Sequence, residues 1–282
     1  NNSSFVMPAG SDVRVYAEFF DSVAAYIERS WDGEKVVAKE RIRTPDEGYI
    51  SMSSVADGST LQGGSWYYVN SDVAFKKRVH TDGEVNIILG DGATVDFQRG
   101  LEVSEGDTLN VYDQKQGTGK LIAFCERFAQ RDDQDEAAIG GDKGLDGGSM
   151  NFYGGNIEAT TKRETRGAAI GGSGFRAGGR MIFYAGNYTV KARFGSSTGI
   201  GGGYKGEASH CRGEGITIYG GTFDIQTFQS GAAIGSGAEA YRSTGAIAIY
   251  GGSITASSHN GGAAIGGGKN SENGPIYIYG GE

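Results

Sequence analysis

Three neighbouring pairs in the second half of the chain join an aromatic ring to a cation: Phe175-Arg176, Tyr204-Lys205 and Tyr241-Arg242. Aromatic faces stack on sugar rings, and an adjacent guanidinium or ammonium holds a carboxylate or sulfate. Repeated in consecutive loops, the pair points to contact with an anionic glycan or glycoprotein. Ordinary loop chemistry is the competing reading, because the aromatics stand 5, 4 and 7 residues beyond Ile170, Ile200 and Ile234 and need not line up.

The other residue groupings are weaker. Glu158 and Asp224 fall at one outward strand position, two repeats apart, with Thr189 between them. Two strand spacings are roughly 9.6 Å, at the outer edge of the separation that glycoside hydrolysis uses. They are the candidate acids of a carbohydrate-active enzyme (a polysaccharide lyase or glycoside hydrolase), against the favoured reading of solvated surface. The run Asp132-Asp133-Gln134-Asp135-Glu136 lacks the spacing and central glycine of an EF-hand, which favours a solvated loop over a calcium site. Cys125 and Cys211 belong to no CxxC, and His80, His210 and His259 are scattered, so no metal and no cofactor is expected. His210 adjoins Cys211, but adjacent residues in one loop are poorly placed to act as base and nucleophile. The Gly-Gly-Gly runs at 201–203 and 266–268 are not followed by Lys-Ser/Thr, so they are not phosphate loops.

The elements that must position these side chains are repeats. An Ala-Ala-Ile-Gly motif or a close relative places its isoleucine at Ile139, Ile170, Ile200, Ile234 and Ile265. A Tyr-Gly-Gly motif places its tyrosine at Tyr153, Tyr184, Tyr219, Tyr250 and Tyr279, with Tyr184-Ala185-Gly186 as the one variant. Between them the hydrophobic period is two, as in Ile216-Thr217-Ile218-Tyr219, which is a strand pattern. A second strand follows at Ile157, Tyr188, Phe223 and Ile254, and the isoleucine motif makes a third. The expected fold is all-β, a right-handed parallel β-helix solenoid of about 31 residues per coil. The five tyrosines should stack, either as a flat aromatic strip on which sugars or another chain lie, or as a structural ladder shielding the glycine bend. The latter is favoured.

The chain divides into residues 1–60, an N-terminal β cap or the tail of a preceding module; 61–136, irregular coils; and 137–282, regular glycine-rich coils. Of the 51 glycines, 13 lie in residues 1–139 and 51 − 13 = 38 in residues 140–282. That excess, with only 3 prolines and no Gly-X-Y period, excludes collagen, and the 38% hydrophobic content excludes a flexible linker. Charge divides at the same place. Residues 140–282 carry 12 basic and 10 acidic residues, net +2, leaving −10 for the first part and the overall −8. A uniformly basic nucleic-acid binder is excluded, and no apolar run reaches the ~18 residues of a membrane span. With no leader and no initial Met, the chain reads as a mature or excised piece. Ending at Glu282 without the last repeat's second strand, it implies that further coils follow.

Phe5-Val6-Met7-Pro8-Ala9 with Asp12-Val13-Arg14-Val15 resembles the closing strand of InlB-type B-repeat modules of bacterial surface proteins. Asp82-Gly83-Glu84-Val85-Asn86-Ile87-Ile88-Leu89-Gly90-Asp91-Gly92-Ala93, followed by the array at 137–281, is similar to the lead-in and "AAIGGG…ITIYGG" repeats of large secreted proteins from Gram-positive gut bacteria. The resemblance implies an adhesin-like, non-catalytic module of a secreted or cell-wall-attached protein, extracellular in location, acting as a binding module or a spacer. It supplies no binding site.

Overall fold

The computed structural model describes residues 23–126, 135–162, 165–193, 196–208, 214–241, 245–272 and 274–282. The motifs at 5–15, Asp132, Asp133, His210, Cys211 and Arg242 lie outside these residues.

Short alternating segments separated by glycine bends form strands that pair only with their copies in neighbouring repeats. Among the described residues they make three long parallel sheets of nine, seven and six strands. In the regular region, sheet I contains Ser149–Phe152, Met181–Phe183, Glu214–Ile218, Ala246–Ile249 and Ile276–Ile278. Sheet II contains Asn156–Lys162, Asn187–Ala192, Thr222–Thr227 and Ser253–Ser258. Sheet III is built from the two-residue strands Ile139–Gly140, Ile170–Gly171, Ile200–Gly201, Ile234–Gly235 and Ile265–Gly266. Each repeat contributes to the sheets in the order I, II, III. The first part of the chain joins the same stack, Glu84–Leu89 and Thr108–Asp113 in sheet I and Thr94–Phe97 and Lys120–Glu126 in sheet II. The chain is therefore all-β, with stacked parallel strands consistent with a β-solenoid.

Register follows the sequence repeat. Ile139, Ile170, Ile200, Ile234 and Ile265 pair in succession, as do Ile157, Tyr188, Phe223 and Ile254. These positions point inward and share one core with sheet I, in which Phe152 and Phe183 stack at 5.0 Å and Tyr188 and Phe223 at 4.4 Å. Each such side chain, fully buried, contributes about 1.5–3 kcal/mol.

The glycine after each isoleucine is required by that stacking. Gly140, Gly171 and Gly201 have φ of +131°, +136° and +136°, where L side chains rarely sit. A Cβ on any of them would overlap the carbonyl oxygen of the next repeat's glycine.

The N-terminal hairpin is built differently. Strands β1 (Ala24–Trp31) and β2 (Val36–Arg43) pair antiparallel with each other alone. Tyr26 of β1 packs on Trp66 and Tyr112, and Trp31 packs on Tyr219 and Tyr250. The five-residue step from Tyr26 to Trp31 spans roughly 17 Å, the same as three to four parallel-strand spacings. Thus β1 runs along the stack, across the edges of its repeats. No helix among the described residues is long and apolar enough to cross a membrane.

Candidate functional site

The loop that follows each sheet III strand turns at a fixed place. Five residues beyond the isoleucine stand Gly144, Phe175, Lys205, Glu239 and Asn270, with φ of +75°, +66°, +58°, +59° and +56°. Their amides bond across repeats: Phe175 N–H donates to the Tyr204 carbonyl at 2.7 Å, Lys205 to Ala238 at 2.9 Å and Glu239 to Lys269 at 2.9 Å. The turn is one of the stack's ladders, and its side chains project from one flank. Holding a non-glycine residue in this conformation costs about 1–2 kcal/mol, and such strain clusters at functional sites.

Phe175 and Lys205 share this rung, while Tyr204 precedes it by one residue and Tyr241 follows Glu239 by two. Phe175 meets Tyr204 edge to face at 5.5 Å, although they belong to different repeats. The cation above the Phe175 ring, at 5.3 Å, is Arg166. Arg176 is exposed at the neighbouring position. Lys205 Nζ lies 5.3 Å from the Tyr204 ring. Glu239 joins the group from the next repeat: Tyr204 donates its hydroxyl to Glu239 Oε2 at 2.8 Å, and Lys205 Nζ stands 3.3 Å from the same oxygen. These hydrogen bonds hold the Glu239 carboxyl below its usual range, push the Tyr204 phenol up, and raise Lys205. Phe175 is 47% exposed and Tyr241 75%, so two large apolar faces flank the network. The flank offers rings for stacking and cations for an anionic group. Glu239 is not legible as a member because residues of different type occupy equivalent rungs, and Arg166 is not because it precedes the Ala-Ala-Ile-Gly motif rather than following it.

The candidate acids stand at the expected register, two strand spacings apart. Glu158 and Asp224 each pair with Thr189, on opposite sides of it. Lys120 Nζ lies 2.6 Å from Glu158, and Gln226 donates to Asp224 at 3.1 Å.

The tyrosine ladder is continuous. Tyr112, Tyr153, Tyr184, Tyr219, Tyr250 and Tyr279 stack at 4.4, 5.1, 5.3, 5.0 and 4.7 Å. Strand β1 lies on it, with Trp31 parallel to Tyr219 at 4.8 Å and Arg29 donating to Asp113 at 2.5 Å and to the Tyr153 carbonyl at 2.6 Å. Burial pushes the Tyr153 and Tyr184 phenols up. The aromatic strip does carry a chain segment, and that segment is the protein's own hairpin.

No protein-family model, curated protein or solved structure matches the chain.

Proposed function

We propose that the chain is a non-catalytic binding module, a closed right-handed parallel β-helix carried by a secreted or cell-surface bacterial protein and adhesin-like in role. Its ligand is an anionic glycan or glycoprotein, held on the flank formed by Phe175, Arg176, Tyr204, Lys205 and Tyr241, with Arg242 continuing the pattern in sequence. The observation that carries this reading is the repeated left-handed turn, which spends strain in successive repeats to project Phe175, Lys205 and Glu239 from one side. Stacking rings beside cations match a sugar bearing carboxylate or sulfate. The location on a bacterial surface rests on the sequence resemblance.

A glycan array carrying sulfated and uronate-containing oligosaccharides tests the reading. Binding should be saturable and should fall at least tenfold in the Tyr204→Ala/Tyr241→Ala double variant. A protein that binds nothing on the array or on mucin is a spacer, and the glycan proposal then fails.

A further inference from the structure

The rung of sheet III that faces away from the core is almost empty. Val79, Leu101 and Ile139 pair in succession and point inward. The next residues, His80, Glu102 and Gly140, therefore point outward on one line. In every later repeat that position is glycine: Gly171, Gly201, Gly235 and Gly266. Among the described residues, the position carries a side chain at Thr60, which pairs with His80, and then at His80 and Glu102, which lie at the seam between the irregular and the regular repeats. Gly140 leaves a gap beside them, and Asp142, two residues on, fills it. Later repeats put Ser173, Gly203, Gly237 and Gly268 at the Asp142 position, so the grouping occurs once.

The donor atoms of His80, Glu102 and Asp142 all lie within 4.8 Å of one another, and all three side chains are partly buried. His80 Nδ1 contacts Glu102 Oε2 directly. Ser104 braces the Glu102 carboxylate and the Asp142 backbone: its hydroxyl donates to Glu102 Oε1 at 2.7 Å and accepts the Asp142 backbone N–H at 3.2 Å. Such bracing is the usual support for metal ligands. Arg78 is the competing cation, 3.6 Å from Asp142 and 3.6 Å from Glu136. Its Nη1 is held by the carbonyls of Arg99 and Ala137, whereas its Nε and Nη2 make no hydrogen bond. It therefore shields Asp142 without occupying it through a hydrogen bond. Glu102, Asp142 and Glu136 against Arg78 leave two negative charges, −3 + 1 = −2, which a dication neutralises.

We propose that His80, Glu102 and Asp142 bind a divalent transition-metal ion of the zinc class. One imidazole nitrogen and two carboxylate oxygens, with water completing the shell, suit such an ion better than calcium or magnesium, which take oxygen alone. Because the ligands come from three successive repeats, the ion fastens the seam. His80 and Glu102 are separated by 22 residues in sequence, so ligand spacing does not show them.

The test is calorimetric titration of the whole chain, stripped with chelator, with Zn²⁺ alone. One ion per chain should bind, raising the melting temperature, with affinity falling at least tenfold in each of His80→Gln, Glu102→Gln and Asp142→Asn and by about 10–100-fold in Ser104→Ala. Should a variant fail to fold, X-ray absorption at the zinc edge of the wild-type complex decides: one imidazole with oxygen ligands supports the site. An all-oxygen shell, more than one imidazole, or no saturable binding overturns it. Unchanged binding in folded His80→Gln and Glu102→Gln overturns it equally, since the ion then sits elsewhere.

Discussion

Glu239 sits on a strained turn and ties Tyr204 and Lys205 to the next repeat. Because hydrogen bonds from the phenol and the ammonium favour its charged form, its folded pKa lies below the ordinary 4.5. A depressed carboxylate contributes fully above the ordinary value and loses its contribution as pH falls towards the folded one. The side-chain carboxyl resonance of Glu239 should thus titrate below 4.5, with the Tyr204 and Lys205 signals moving together; a midpoint at or above 4.5 would show that the network does not exist. Glycine makes a different contrast. In Gly201→Ala the new Cβ has nowhere to go against the Gly235 carbonyl, and the loss should be about 3–5 kcal/mol in urea unfolding. Gly33→Ala, at φ +110° but with open space around it, should cost only about 1–3 kcal/mol of backbone strain. Equal costs at the two sites would mean that crowding between repeats is not what selects glycine.

Hairpin β1–β2 stands apart from the other elements. Ala24–Trp31 shows no clean apolar-polar alternation, and nothing local says that the strand will lie along the ladder. That outcome depends on Tyr26, Arg29 and Trp31 meeting rungs far away in sequence, with Arg29 reaching Asp113 and Tyr153. Trp31→Ala should free the outer half of the hairpin. Hydrogen exchange over residues 24–43 should then rise at least tenfold while Asn187–Ala192 and Thr222–Thr227 keep their protection. Unchanged exchange in β1 would show that the ring contacts with Tyr219 and Tyr250 do not hold it. The sheet strands are the opposite case. Ile139, Ile170 and Ile200 recur at nearly constant intervals, and a repeat of that kind announces its own partners, so their parallel pairing was legible from spacing alone.

Across the whole molecule, legibility tracks the repeat. Where side chains recur, as with the tyrosines, both register and stacking can be read from the sequence. Where residue types change from rung to rung, as at Gly144, Phe175, Lys205, Glu239 and Asn270, the shared geometry is invisible in the letters, because it lies in φ. Phe175, Tyr204 and Tyr241 stand at unequal offsets from their isoleucines, which conceals the Phe175–Tyr204 contact and the part of Glu239. The stack thus provides the frame, and the flank of varied turn residues carries the anionic-glycan reading. That proposal is tested most directly by titrating a sulfated, uronate-bearing oligosaccharide into the isotopically labelled protein and mapping amide shifts. The account predicts shifts centred on Phe175, Arg176, Tyr204, Lys205 and Tyr241, with the ladder and sheet II silent. Shifts confined to another face, or none at millimolar ligand, would contradict it.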